Sequence, residues 1–251
     1  NYDDCYITPH LDKRVIALNS EGKPAKAWIW AGGLAYVLGL PKYIKWGFLR
    51  ERIEKTIQLY GINTTYHLDV LSAEPVKYDF DPKCPAAADA FLQAKIDVIK
   101  EFDKHGIDIT SETVTHPFIG HISYAAVKRT AHSKEVLFPG EKNIPLTSMV
   151  YHGFIRYDGG GGKSLKDILW TLVDGAGISW GENRKYEQKA IENYYLVTLP
   201  MGMLSERVME DFRQEGQKIY VDYGKDSYVK VDMDKLTYEI KVDGKIVAKD
   251  W

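Results

Sequence analysis

The sequence predicts an α/β fold: a (β/α) barrel, incomplete or entered part-way round, followed by a small antiparallel β appendage. Three observations lead there. Residues 64–113 run strand, loop, helix, strand, the βαβ unit of a parallel sheet or barrel. Helical periodicity punctuated by glycine recurs up to about residue 214. Beyond Gly216 the chain changes to short alternating segments joined by turns. About four or five parallel-type strands are legible before that point, against the eight of a closed barrel. The expected division is a catalytic barrel portion over 1–215 and a C-terminal β appendage over 216–251.

The elements follow in order. Residues 1–40, rich in Asp, Gly and aromatics, read as a strand end and a long loop, the kind that usually carries function. From Pro41 to Tyr60, Trp46, Leu49, Ile53, Ile57 and Tyr60 recur at helical spacing, and Gly61 ends the run. Thr64 to Leu71 has strand character. A helix is expected over about 86–105, with Phe91, Ala94, Val98 and Phe102 on one face and Gly106 as its stop. Ile107 to Thr110 is a short strand delivering Ser111, Glu112 and Thr113. Ile144 to Ile155 reads as a further strand. Gly159 to Gly162 lack the frame of a phosphate-binding loop and read as a turn, with Ser164 as N-cap of a helix over 165–174. Helices are expected at 184–197 and 203–214. Four short strands then follow, with Asp243-Gly244 as a hairpin turn.

Composition narrows the function. Hydrophobic residues make up 45% of the 251 residues, enough for a normal core, and the formal net charge is −2 with no basic run. No nucleic-acid groove and no membrane partner is expected. No apolar stretch approaches a bilayer span, and no signal peptide is legible. The chain opens Asn1-Tyr2-Asp3-Asp4 without a Met, which reads as processed or cut from something longer. A bacterial extracellular, periplasmic or cytoplasmic location is equally compatible. Cys5 and Cys84 are too few for a disulfide framework and form no metal motif. The 17 Tyr and 6 Trp suit either an ordinary core or a cleft in which aromatic rings stack on sugar.

Catalytic side chains of a βα barrel sit at the C-terminal ends of its strands. Asp69 and Glu112 hold such positions on consecutive strands of one βαβ unit. Neighbouring strands lie about 4.8 Å apart, compatible with the roughly 5–5.5 Å carboxyl separation of a retaining glycosidase. One carboxylate would attack the anomeric carbon. The other would protonate the leaving oxygen and then activate water. The structural alternative is a pair of loop caps or ion-pair partners. Asp108, on the same side of its strand as Glu112, is the fallback acid/base.

The run from Thr64 through Asp69 to Pro75 resembles the nucleophile strand of glycoside hydrolase family 129, related to the endo-α-N-acetylgalactosaminidases of family 101. Asn1-Tyr2-Asp3-Asp4 resembles the family's strand with a sugar-binding acid. Trp28-Ile29-Trp30 resembles a Trp-x-Trp pair on a loop covering the sugar, and Thr110-Ser111-Glu112 the strand end bearing the acid/base. Pro145 to Gly153 and Gln217 to Gly224 are similar to later segments. The resemblance implies a retaining mechanism, an α-linked N-acetylgalactosamine or galactose-type substrate and no cofactor. Two departures stand out: a long connection between Asp69 and Glu112, and Thr113-Val114-Thr115-His116 after Glu112 where the family pattern leads one to expect glycine.

The expected substrate contacts are Asp3, Asp4, Trp28, Trp30, His67, His152 and Trp180, with Tyr151 as core or cleft wall. Each has a bland alternative: a turn cap for the Asp pair, a loop anchor for the Trp pair, a satisfied interior histidine for His67. The expected partner is a carbohydrate or glycoprotein glycan, with a second chain or a missing N-terminal part completing the barrel. Two rival readings are a non-catalytic carbohydrate-binding fragment and a metal-dependent hydrolase using His67, Asp69, His116, His121 and His152. The spacing of those histidines matches no standard metal motif.

Overall fold

The computed structural model of the protein describes residues 2–4, 13–30, 33–127, 144–159, 164–178, 191–192 and 194–249. The chain divides into two compact units, Asn1–Ser111 and Glu112–Trp251.

The first unit opens with an antiparallel sheet rather than a loop. Strands β1 (Tyr2–Asp4), β2 (Lys26–Trp30) and β3 (Gly33–Val37) lie in the order β1-β3-β2. The sequence signal here was weak because β2 is largely exposed and does not alternate cleanly. The helical run after Pro41 is broken in two, α1 (Leu40–Lys45) and α2 (Phe48–Tyr60). Gly47 lies between them at φ 80°, a conformation that admits no continuing helix. Leu49 and Ile53 of α2 are buried.

Strand β4 (Thr65–Leu68) follows, then helix α3 (Ala88–Asp103) and strand β5 (Asp108–Thr113). Thr65 to Leu68 pair in parallel with Asp108 to Ser111, residue for residue, the expected βαβ unit. Phe91, Ala94, Val98 and Phe102 are buried along α3, as the periodicity predicts, and Lys95 is buried beside them. Lys42 is also buried, within 3.0 Å of Asp79 and of Asp81, so its charge enters the core only with two carboxylates.

In the second unit β6 (Tyr124–Val127) and β7 (Arg156–Tyr157) pair in parallel. Two expectations are corrected here. Residues 144–155 carry helix α4 (Leu146–Tyr151), not a strand. Their β-branched and aromatic content favours a strand, but Leu146, Met149 and Val150 are also spaced for a helix, and in so short a run periodicity decides nothing. Residues 203–214 are not a helix either: strand β8 (Asp211–Glu215) occupies their end. Glu215 pairs with Lys218 across the turn at Gly216, and that hairpin overrides the helix propensity of the segment.

Helix α5 (Leu165–Val173) begins as expected, with the Asp167 N–H donating to Ser164 Oγ at 3.2 Å. A wide π-helical turn over Tyr194–Thr198 leads into α6 (Leu199–Gly202). Strands β9 (Lys218–Asp222), β10 (Tyr228–Asp232), β11 (Thr237–Val242) and β12 (Lys245–Lys249) complete an antiparallel sheet with β8, ordered β12-β11-β10-β9-β8. Asp243 and Gly244 turn its last hairpin with φ of 47° and 79°, the paired positive values of a type I′ turn. The inner face of this sheet is packed on α5 and α6: Ile168, Leu169, Leu172 and Met201 share one core with Val221, Val229, Tyr238 and Ile240. The sheet thus begins at Asp211, ahead of Gly216, and shares a core with α5 and α6.

Candidate active site

Asp69 is the residue that follows β4, and it is exposed. Along β4, Thr65 and His67 are exposed while Tyr66 and Leu68 are half-buried. The Tyr66 ring stacks on Phe102 of α3 at 5.3 Å, so that side of the strand faces the helix layer. A cavity of about 220 Å³, walled by Tyr43, Ile53, Tyr66, Val98 and Phe102, opens between these elements and reaches Asp69 and Arg52. On the other side, His67 Nδ1 lies 2.9 Å from Thr110 Oγ1. Val70, immediately after Asp69, has φ 53°, a left-handed conformation that is rare for a β-branched residue.

On β5, Asp108, Thr110 and Glu112 alternate with the buried Ile109, Ser111 and Thr113. Glu112 is half-buried. Asp108 shares its face but opens the strand, about 13 Å earlier at the rise of an extended chain. That spacing sets the fallback residue at the wrong end of the strand for a site at the C-terminal edge.

Trp28 lies on β2, 58% exposed, and its indole N–H donates to Glu74 Oε1 at 3.1 Å. Glu74 also pairs with Lys77 at 3.2 Å. Asp3 and Asp4 lie on β1, in register with Tyr36 and Ala35, and Trp30 on β2 is in register with Gly33. Trp180 and Cys5 lie outside the described residues, and Cys84 is half-buried.

His152 departs from the role predicted for it. It is 2% exposed, with Nδ1 2.5 Å from the Arg207 carbonyl and Nε2 3.0 Å from the Gly175 carbonyl. Carbonyls only accept, so a neutral imidazole donates its one N–H to one of the two. The imidazole joins backbone segments and presents no nitrogen to a sugar. His116 Nδ1 lies 3.0 Å from the Tyr151 hydroxyl. Among the described residues, no three His, Cys, Asp or Glu side chains come together as a metal ligand set. No helix among them is long and apolar enough to cross a membrane.

Two groups escaped the sequence reading. Lys95, 3% exposed, donates to the carbonyls of Leu71 at 2.9 Å and Glu74 at 2.5 Å, in the turn after Asp69. Asp158, following β7, accepts from the Tyr124 hydroxyl at 2.6 Å. Burial raises the Asp158 carboxyl above the usual range. The signal for Asp158 was an acid directly after the alternating run Ile155-Arg156-Tyr157.

No family model matches the chain, and no curated protein matches it by sequence. Solved structures do match. The chain shares the fold of α-N-acetylgalactosaminidase NagBb from Bifidobacterium bifidum. A quadruple mutant of that enzyme superposes with a TM-score of 0.78 at 17% identity over 92% of this chain. The NagBb complexes with GalNAc and with Gal-NHAc-DNJ give 0.72 and 0.74 at 16% identity, over 94% of this chain. The chain spans about two fifths of the NagBb structures, 39% to 40% of their length.

Proposed function

We propose that this chain is the catalytic portion of a retaining glycoside hydrolase acting on α-linked N-acetylgalactosamine or galactose-type glycans. Asp69 is the nucleophile and Glu112 the general acid/base. The observation that carries the reading is the fold shared with NagBb along nearly the whole chain, together with Asp69 at the close of β4 on a left-handed turn. The sequence resemblance to family 129 supports the same roles. Attack by Asp69 on the anomeric carbon forms a glycosyl ester while Glu112 protonates the departing oxygen. Glu112 then removes a proton from water, which releases the sugar with its configuration retained. On this reading Trp28 offers its exposed indole to a sugar face, and His67, on the face opposite the helix layer, binds a hydroxyl. Asp3 or Asp4 and Trp30 join the site on the resemblance alone, and Trp180 as a cleft wall from a later segment. No cofactor enters this chemistry.

Asp69→Asn is expected to abolish turnover of an aryl α-N-acetylgalactosaminide. Asp69→Gly with azide is expected to regain turnover and yield the β-glycosyl azide. Glu112→Gln should slow a substrate with a poor leaving group far more than one with an activated aryl group, because only the former needs the acid. Full activity in Asp69→Asn would sink the assignment.

A second reading follows from the share of NagBb that the chain spans: a carbohydrate-binding chain that does not hydrolyse. Saturable binding of N-acetylgalactosamine without turnover of the aryl glycoside would favour it.

A further inference from the structure

The five residues after Asp69 are held to the rest of their unit by side-chain hydrogen bonds from two elements. Ser111 Oγ donates to the Leu68 carbonyl at 2.7 Å and accepts the Ser72 N–H at 3.1 Å. One hydroxyl therefore spans Asp69 and Val70, bonding the residue before them and the second residue after. Lys95 Nζ, arriving from α3, donates to the Leu71 and Glu74 carbonyls. The Glu74 N–H closes the turn onto the Val70 carbonyl at 3.0 Å. Inside this bracket sits Val70 at φ 53°. A β-branched residue holds that conformation only where its surroundings impose it.

Lys95 is the element that packing alone does not call for. It occupies the buried stripe of α3 beside Ala94 and Val98, where an apolar side chain would serve the core. Burial pushes its amine down to about 8, and the nearby Lys77 adds to that, while Glu74 opposes it. A buried ammonium is costly unless its hydrogens are taken up, and here the turn carbonyls take them.

We propose that Lys95 and Ser111 are positioning residues that lock the Val70 turn in its left-handed form and thereby fix the direction of the Asp69 carboxylate. The clamp itself is a statement about the turn; its catalytic consequence rests on Asp69 being the nucleophile. Without the clamp, Val70 relaxes to an extended or right-handed conformation and the carboxylate swings away. Nucleophile misplacement by about 1 Å costs on the order of a hundredfold in rate.

The test has two arms on the full chain. In the first, amide hydrogen exchange is followed at Ser72 and Glu74 in wild type, Lys95→Met, Ser111→Ala and the double variant Lys95→Met/Val70→Gly. Exchange at both amides should accelerate at least about tenfold in each single variant while the α3 amides keep their protection. Val70→Gly should restore protection in the Lys95→Met background, since glycine holds a positive φ without strain. Unchanged protection in both single variants overturns the clamp, as does loss of protection spread evenly over the unit. Ser111→Ala keeps the test open if Lys95→Met does not fold.

The second arm is kinetic. Lys95→Met should lower kcat by about tenfold to a hundredfold with KM within twofold, and Val70→Gly should recover most of that loss. In the Asp69→Gly background the azide-rescued rate should be the same with Lys95 and with Met at 95, because azide needs no oriented carboxylate. If azide rescues Asp69→Gly but the Lys95 change slows that rescue as much as it slows wild type, the positioning role is wrong and the nucleophile stands. If azide rescues nothing while the exchange results hold, the nucleophile reading is wrong and the clamp stands.

Discussion

Burial raises the Asp158 carboxyl above the ordinary carboxylate range, and the Tyr124 hydroxyl bonded to it offsets only part of that. The direction sets a sign. A folded pKa above the unfolded one means the protonated form is the one the fold favours, so the stability is present at low pH and is lost as pH rises through the raised value. Asn at 158 removes the charge and still accepts from Tyr124. Asp158→Asn is therefore expected to be more stable than wild type at pH 7, with the gap closing towards the ordinary value near 3.8. Urea midpoints of both proteins between about pH 3.5 and 7 measure it, and a gap independent of pH would refute the attribution to charge burial. At this scale the place of Asp69, directly after β4, was legible because an acid closing a strand-like run is a recognisable pattern. Lys95 was not, because on an amphipathic helix lysine reads as solvent-facing until the turn carbonyls beneath it are known. His152 misled for another reason: the end of an expected later strand suggests a cleft wall, whereas its two nitrogens lie against main-chain carbonyls of residues distant in sequence.

Elements with a single strong signal came through the sequence nearly intact. The βαβ unit, α3 with its apolar face, the Ser164 cap and the Asp243-Gly244 hairpin all lie where periodicity and turn chemistry put them. Those lost were short or exposed. Helix α4 has six residues, and β8 alternates without a strongly apolar face, so neither outweighs local propensity. The turn after α5 tests how tightly one such connection is specified. Gly175 has φ 67°, and a methyl group there would meet the His152 ring at 2.4 Å and 2.6 Å and the Tyr223 hydroxyl at 2.8 Å. Gly175→Ala should destabilise the second unit by about 2 kcal/mol or more, from strain and overpacking together. Denaturant unfolding reads this directly, and a loss below about 0.5 kcal/mol would mean the turn re-forms around the methyl.

At the scale of the whole chain, parallel strands followed by an antiparallel sheet were foreseen, and a closed barrel is not what the described residues contain. A change in composition near 215/216 registers the start of alternating strands but not what they pack against. In the second unit the sheet and helices α5 and α6 bury one core. A chain ending at residue 215 should leave Ile168, Leu169 and Leu172 without partners, and should be insoluble or melt without cooperativity. Soluble yield and a thermal melt decide this, and a cooperative transition in the shortened chain would show that α5 folds without the sheet. An indole that is more than half exposed and hydrogen-bonded to a carboxylate emits according to what displaces water from its face. The difference in fluorescence between wild type and Trp28→Phe therefore isolates an optical signal from the mouth of the proposed site, and titration of that signal reports occupancy of the site even by sugars that are never cleaved.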